Sequence, residues 1–158
     1  MLRNHARRLV LIALAAAMAL AQSLAQSKDP LIGNWQINRA KSEFMPDNTL
    51  QNRTIAIEAK GNGISAVQQT VVDAGYTVTS EYAAGYDGKD SPISGSLLDT
   101  VALKRVNANT VERTGKIRGQ AVETATMTVS PDGKVLTITT KGSVDGNDYS
   151  STQVFDRQ

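Results

Sequence analysis

The sequence contains no cysteine, and its single histidine, His5, lies within the first 25 residues. We predict below that this segment is removed, which would leave neither residue type in the mature chain. That composition excludes a disulfide, a thiol for lipid attachment, a Ser-His-Asp triad, a Cys-His pair and the usual zinc sites. No spacing of the remaining acids, lysines or tyrosines singles out a catalytic group. We therefore expect no enzyme, no metal and no cofactor, although an enzyme built from these side chains stays a third possibility.

The first 25 residues have the organisation of a secretory signal peptide. Arg3, Arg7 and Arg8 precede an apolar run over residues 9–21, and residues 23–25 (SLA) form a small-x-small cleavage pattern. The run is shorter than the roughly 20 apolar residues of a membrane-spanning helix. We predict cleavage after residue 25, a periplasmic or secreted protein, and no stable membrane insertion. The paired arginines fit a twin-arginine (Tat) signal only loosely, so the general secretory (Sec) route is favoured.

Residues 26–158 are predicted to form one domain. Removing the three arginines of the leader from the formal charge of +2 leaves a charge of −1. No basic stripe interleaved with aromatic residues remains, so we expect no nucleic acid partner. The length suits a single hydrophobic core, and no linker or repeat divides it. We expect a monomer.

Runs rich in threonine, valine and isoleucine alternate with short glycine, asparagine and aspartate segments, which is typical of strands joined by hairpins. Asn-Gly and Asp-Gly supply the positive φ angles of tight turns. Residues 39–44 predict one or two helical turns that end at Pro46, and no other mature segment has helical periodicity. The predicted strands are 33–38, 52–60, 63–72, 76–84, 99–106, 110–118, 120–129, 134–141 and 148–156, with a longer link over 85–98.

The chain is therefore predicted to be all-β, with about 8–10 antiparallel strands and one short helix after the first strand. Short connections favour an up-and-down barrel over a sandwich with Greek-key crossovers, and closure would remove exposed edges. Many strands are rich in threonine, as in residues 124–129 and 136–140. Threonine can fill the solvent face of each strand, or the barrel interior can be partly polar and partly empty. Both interpretations stay open.

The ends of this chain resemble the calycin superfamily, which contains the lipocalins and the fatty-acid-binding proteins. The features are Gly33-x-Trp35 on the first strand, the helical turn after it, and Arg157 at the end of the last strand. In those barrels the tryptophan closes one end and a basic residue of the final strand packs across it. The resemblance implies this structural role for Gly33, Trp35 and Arg157, and an indole beneath a guanidinium is a favourable pair.

Four segments are also similar to small exported bacterial proteins with a lipocalin-like barrel: GNWQINRAKSEF, YDGKDSPISG, VALKRVNANTVE and VSPDGKVLTITTKG. The likeness covers essentially the whole mature chain. The disulfides usual in animal lipocalins are absent, and the second and third lipocalin sequence motifs cannot be recognised in this sequence. The resemblance therefore supports the fold better than it supports any ligand.

Two basic residues are candidates for ligand binding. Arg113 shares a strand face with Val111 and Ile117, so alternation places it among apolar positions. Inside a barrel it could hold a ligand carboxylate in a bidentate pair. Alternatively, a bulge turns it outward, or it pairs on the surface with Glu81, Glu112 or Glu123. Lys104, on the neighbouring strand, is a second candidate of the same kind.

Tyr76 and Tyr82 share a predicted strand face and could line the mouth of a cavity, or simply pack across strands. Together these features predict a non-enzymatic, exported binding protein for a small apolar or amphipathic molecule. The alternative is a filled barrel that acts as an envelope or stress-related interaction module without a ligand.

Overall fold

The computed structural model describes residues 29–46 and 50–158, so the predicted signal peptide lies outside the described residues. Eleven strands account for most of this part of the chain. They are β1 (Gly33–Ile37), β2 (Glu43–Met45), β3 (Leu50–Lys60), β4 (Gly63–Val72), β5 (Thr77–Gly85), β6 (Asp87–Ser94), β7 (Thr100–Asn107), β8 (Thr110–Ile117), β9 (Gln120–Val129), β10 (Val135–Val144) and β11 (Asn147–Arg157). Among the described residues, no helix is long and apolar enough to cross a membrane.

The strands form an up-and-down antiparallel barrel, as predicted. Consecutive strands pair from β3 to β11, and β1 pairs with β3 on one side and β11 on the other. Closure occurs where Trp35 lies opposite Arg157 and Ile37 lies opposite Phe155. Ten strands thus complete the barrel, while β2 adds a short segment to β11.

The predicted helical turns over residues 39–44 are only partly present. Arg39–Lys41 makes a single 3-10 turn, and Glu43–Met45 forms β2. The hydroxyl of Ser42 accepts a hydrogen bond from the backbone N–H of Val154 at 3.0 Å. This contact ties the chain to β11 after one turn, so strand pairing replaces further helix.

The predicted link over 85–98 contains an additional strand, β6. It pairs with β5 at only two positions, Glu81 with Ser94 and Tyr82 with Ile93. Its other partner is β7, with an irregular register early in the strand. Gly88 and Pro92 are typical of a loop, so the sequence does not indicate a strand here. Pairing with the neighbouring strands β5 and β7 makes the segment a strand.

Inward and outward residues alternate along the strands with a period of two. The largest fully buried side chains lie toward the end of the barrel where β1 meets β11: Trp35, Phe155, Leu31, Ile57, Ile64, Leu103 and Leu136. The threonines of β9 are exposed, as expected for a solvent face, whereas Thr140 of β10 is buried and points inward. Threonine therefore occupies both faces.

The closed end is built around Trp35, which is fully buried. Its Nε1 donates to the carbonyl of Leu31 at 2.9 Å, and the guanidinium of Arg157 lies 4.1 Å from the centre of its ring. Gly33 is needed beside this pair, because a Cβ there would lie 2.2 Å from Nη1 of Arg157 and its φ is +146°. The structure thus brings Gly33, Trp35 and Arg157 together in one contact.

Candidate ligand-binding cavity

A cavity of about 850 Å³ occupies the other half of the barrel. Its inner wall is apolar and includes Ile55, Ala66, Met127 and Ile138. Its mouth lies between β2, the β6–β7 loop and the β10–β11 hairpin, and is lined by apolar side chains that include Phe44, Met45, Leu97, Leu98 and Val144. Between the wall and the mouth runs a group of polar side chains, here called the polar belt: Arg53, Tyr82, Arg113, Glu123, Tyr149 and Gln153.

Arg113 is at the centre of the polar belt. Its neighbours two positions away on β8, Val111 and Gly115, are buried, so the pleat directs Arg113 inward. Its Nη2 donates to Oε1 of Glu123 at 2.5 Å, and Tyr82 lies near enough to raise the pKa of the guanidinium. Its Nε is buried and has no hydrogen-bond partner among residues 29–46 and 50–158. This nitrogen is therefore a buried donor for which the described part of the chain provides no acceptor.

Both carboxylate oxygens of Glu123 are occupied. Oε1 accepts from Arg113, and Oε2 accepts from the hydroxyl of Tyr149 at 2.9 Å. Tyr149 reaches this position across Gly142, where a Cβ would lie 2.3 Å from its Cζ. Glycine at that position therefore makes room for the ring that holds Glu123.

Arg53 is the second cation of the polar belt. Its Nε donates to Oγ1 of Thr70 at 2.9 Å and its Nη1 donates to Oε1 of Gln153 at 2.5 Å. Burial, together with the nearby charge of Arg113, lowers the pKa of Arg53 to about 10, and the carboxylate of Glu123 opposes this shift. Arg53 is therefore still a cation at neutral pH.

The polar belt carries a net positive charge. Burial raises the pKa of Tyr82, although Arg113 opposes the shift, and burial with the charge of Glu123 raises the pKa of Tyr149. Burial alone would lower the pKa of Arg113, but Tyr82 and Glu123 outweigh it and the pKa is raised. Two guanidinium groups thus face one carboxylate, a net charge of +1. The other charged lining residue, Asp148, is exposed at the mouth.

Of the four residues that the sequence suggested for ligand binding, two line the cavity and two do not. Arg113 and Tyr82 line the cavity, whereas Lys104 and Tyr76 do not. Leu103 takes the inward position on β7, so Lys104 points out beside Glu112 on β8. Tyr76 lies in the β4–β5 hairpin with 60% of its surface exposed. The expectation of a ligand role for Lys104 and Tyr76 therefore finds no support in their positions.

Arg113 also has a partner that the sequence does not reveal as an interior one. Glu123 was expected, if paired with Arg113, to hold it on the surface. Gly115 pairs with Glu123 and Arg113 with Ala125 across β8 and β9, which puts both charged side chains on the inward face. The pair differs from a surface salt bridge because both side chains are largely shielded from solvent inside the barrel.

Sequence reasoning missed Arg53, Tyr149 and Gln153 as interior residues. A signal was present for Arg53, because it lies two and four positions before the buried Ile55 and Ile57. The same reasoning applies to Gln153, two positions before the buried Phe155. Polar side chains on an apolar face at a spacing of two are thus the pattern that marks this belt.

The sequence matches no protein-family model and no curated protein. The structure is similar to that of zebrafish ileal bile acid-binding protein in complex with cholic acid, with a TM-score of 0.51, 12% identity, and coverage of 82% of this chain and 99% of that one. It also aligns with the siderocalin Ex-FABP at a TM-score of 0.40 and 10% identity, covering 82% of this chain and 74% of that one. The second likeness is too distant to support an argument. The first, at this identity, shows the fold alone: an up-and-down antiparallel β-barrel like that of the bile acid-binding protein.

Proposed function

We propose that this protein is an exported, non-enzymatic binding protein for a small amphipathic molecule that carries an anionic group. The observation that carries the proposal is Nε of Arg113, a buried cationic donor that has no acceptor in the part of the chain that the structure describes. Such a group costs about 1–3 kcal/mol when it is left unsatisfied. An anionic oxygen of a ligand would remove that cost.

The charge of the polar belt supports the same class of ligand. Two partly buried cations, Arg53 and Arg113, face the single carboxylate of Glu123. A buried charge is tolerated when it is paired and hydrogen-bonded. A negative group placed between the two arginines would balance the excess positive charge.

The size and walls of the cavity support an apolar body for the ligand. A volume of about 850 Å³ falls within the 300–1,000 Å³ range of small-molecule sites. Apolar side chains lie on both sides of the polar belt, at the inner wall and at the mouth. The likeness in fold to a protein solved with cholic acid, itself an amphipathic acid, is consistent with this proposal. A cavity of this size counts against the filled barrel.

A paired titration tests the proposal. Decanoate and decanol have the same apolar tail and differ in charge. Arg113→Met should therefore reduce the binding free energy of decanoate by about 1.5–3 kcal/mol, the range for hydrogen bonds to charged groups. Decanol should bind both proteins about equally. Lys104→Met is the matched control, because it removes an outward cation from the neighbouring strand and should change neither affinity.

Equal losses for both probes would mean that Arg113 only shapes the barrel. Binding of neither probe to the wild-type protein would favour the filled barrel.

Export and natural occupancy can be tested together on protein purified from the exported fraction of its own cells. Intact-mass analysis should show a chain that begins at Gln26, as expected after signal-peptide cleavage. Denaturing mass spectrometry of an organic extract should detect a small acid in stoichiometric amount. Full-length chain held in membranes would contradict export, and an empty extract would contradict stable natural binding.

A further inference from the structure

Glu123 is a fixed negative charge inside a site that otherwise attracts anions. Its side chain is only 12% exposed, and its two oxygens accept from Arg113 and from Tyr149. Tyr149 is itself held over Gly142, where there is no space for a Cβ. We therefore expect Glu123 to stay beside Arg113 when a ligand enters.

This carboxylate limits the negative charge that the polar belt can accept. With Glu123 ionised, the belt has a charge of +1, which one negative charge of a ligand cancels. A second negative charge on the ligand would have no cation left to balance it and would lie near Glu123. In an interior of low effective dielectric constant, charges about 4–6 Å apart interact far more strongly than in water.

Resting on the proposed function, we infer that Glu123 is the residue that sets the charge of the ligand, so that the cavity selects monoanionic over dianionic amphiphiles. The ligand class is then an amphipathic carboxylate, sulfate or sulfonate with one negative charge. Phosphate monoesters and dicarboxylates with the same apolar body are rejected. Arg113 and Arg53 provide the attraction, and Glu123 provides the discrimination.

The test uses two probes with one tail, decyl sulfate and decyl phosphate, at pH 8 and constant salt. A phosphate monoester has a second pKa near 6, so decyl phosphate is a dianion at this pH, whereas decyl sulfate is a monoanion. We expect the wild-type protein to bind the sulfate at least about tenfold more tightly than the phosphate in calorimetric titrations. Glu123→Gln raises the belt charge to +2 while keeping the shape of the side chain and an oxygen for Arg113, so it should abolish or reverse this preference.

Two further variants make the result specific. Glu112→Gln is the matched control, since it removes an exposed, outward acid from β8 and should leave the ratio of affinities unchanged. Gln153→Glu changes the belt charge in the opposite direction, because Gln153 contacts Arg53. It should lower the affinity for decyl sulfate about tenfold or more and leave the affinity for decanol unchanged. This second variant also keeps the test decisive if Glu123→Gln does not fold.

The outcomes are distinguishable. A preference for sulfate that Glu123→Gln removes supports the inference. If the wild-type protein binds both anions without preference, or if the preference survives in Glu123→Gln and Gln153→Glu has no effect, the inference is overturned while the proposed function stands. If the wild-type protein binds neither anion, both are overturned.

Discussion

At the scale of single residues, Arg157 holds the closed end of the barrel together by contacting several partners at once. Arg157 stacks on Trp35 and also donates to the carbonyls of Pro30 at 2.7 Å, Ile32 at 2.7 Å and Gly133 at 2.5 Å. Its guanidinium therefore joins the segment before β1, the first strand and the β9–β10 hairpin. The resemblance assigned Arg157 to the barrel end, but the three carbonyl contacts are visible only in the structure.

Substitution of this pair should be strongly destabilising and non-additive. Trp35→Ala should lower the free energy of unfolding by about 3–5 kcal/mol, because it deletes a fully buried indole. Arg157→Ala should cost less, and the double variant should cost less than the sum, because the two side chains share a contact. Urea titrations of the four proteins measure the coupling. Additive effects would argue against an energetic contact between the two side chains.

Gly142 matters because the ring of Tyr149 packs directly against it. Gly142→Ala should destabilise the protein by about 1–3 kcal/mol, because the added methyl group displaces Tyr149 from Glu123. In a Tyr149→Ala background the same change should be neutral or slightly stabilising, since a compatible Gly→Ala change restricts the unfolded chain. Urea unfolding of both pairs measures the difference. An equal cost in the two backgrounds would show that Tyr149 is not the obstacle.

At the scale of elements, the short segment before β1 is attached to the barrel by a buried carboxylate. Asp29 accepts hydrogen bonds from the hydroxyl of Tyr86 at 2.5 Å and from Arg105, while its Oδ1 accepts from the backbone N–H of Leu31 at 3.0 Å. The guanidinium of Arg105 lies 4.0 Å from the centre of the Tyr86 ring. This cluster holds the segment across the end that Trp35 closes.

Asp29→Ala should therefore loosen the segment and destabilise the fold. We expect a loss of about 1–3 kcal/mol, because Tyr86 and Arg105 lose a charged acceptor that is largely shielded from water. Asp73→Ala, in the exposed β4–β5 hairpin, is the control and should change stability by less than about 0.5 kcal/mol. Thermal and urea unfolding compare the two. Similar stabilities for both variants would mean that the cluster does not hold the segment.

At the scale of the whole molecule, three partly buried tyrosines link stability to alkaline pH. Burial raises the pKa of Tyr82, burial and the hydrogen bond to Asp29 raise that of Tyr86, and burial with Glu123 raises that of Tyr149. In the unfolded chain these groups titrate near pH 10. The folded protein keeps their protons longer, so stability is fully present below about pH 10 and falls as the pH rises above it.

Urea midpoints measured from pH 8 to pH 11.5 should accordingly stay level at first and then decrease, in step with tyrosinate absorbance. Tyr149→Phe should reduce the decrease, because one of the raised groups is gone. A midpoint that is unchanged above pH 10 would contradict the burial of these hydroxyls.

The sequence by itself determined the class of fold and the direction of many side chains. Alternation at a period of two and glycine-containing turns are local features, and they predict an all-β meander and put Arg113 on the apolar face of its strand pattern without knowledge of the rest of the chain. That Trp35 closes one end of the barrel could be predicted only from the resemblance to the calycin superfamily.

Only the tertiary structure decided which residues meet. The single helical turn before β2 depends on pairing with the distant strand β11, and the strand within residues 85–98 depends on pairing with β7. Arg53 meets Gln153 across 100 positions, and Asp29 meets Arg105 across 76. Whether Glu123 neutralises Arg113 on the surface or inside the cavity depends on the register of β8 and β9 and on the space that Gly142 leaves for Tyr149. The contact between Arg53 and Gln153 follows from barrel closure, which brings β3 and β11 together on either side of β1 and has no local sequence pattern.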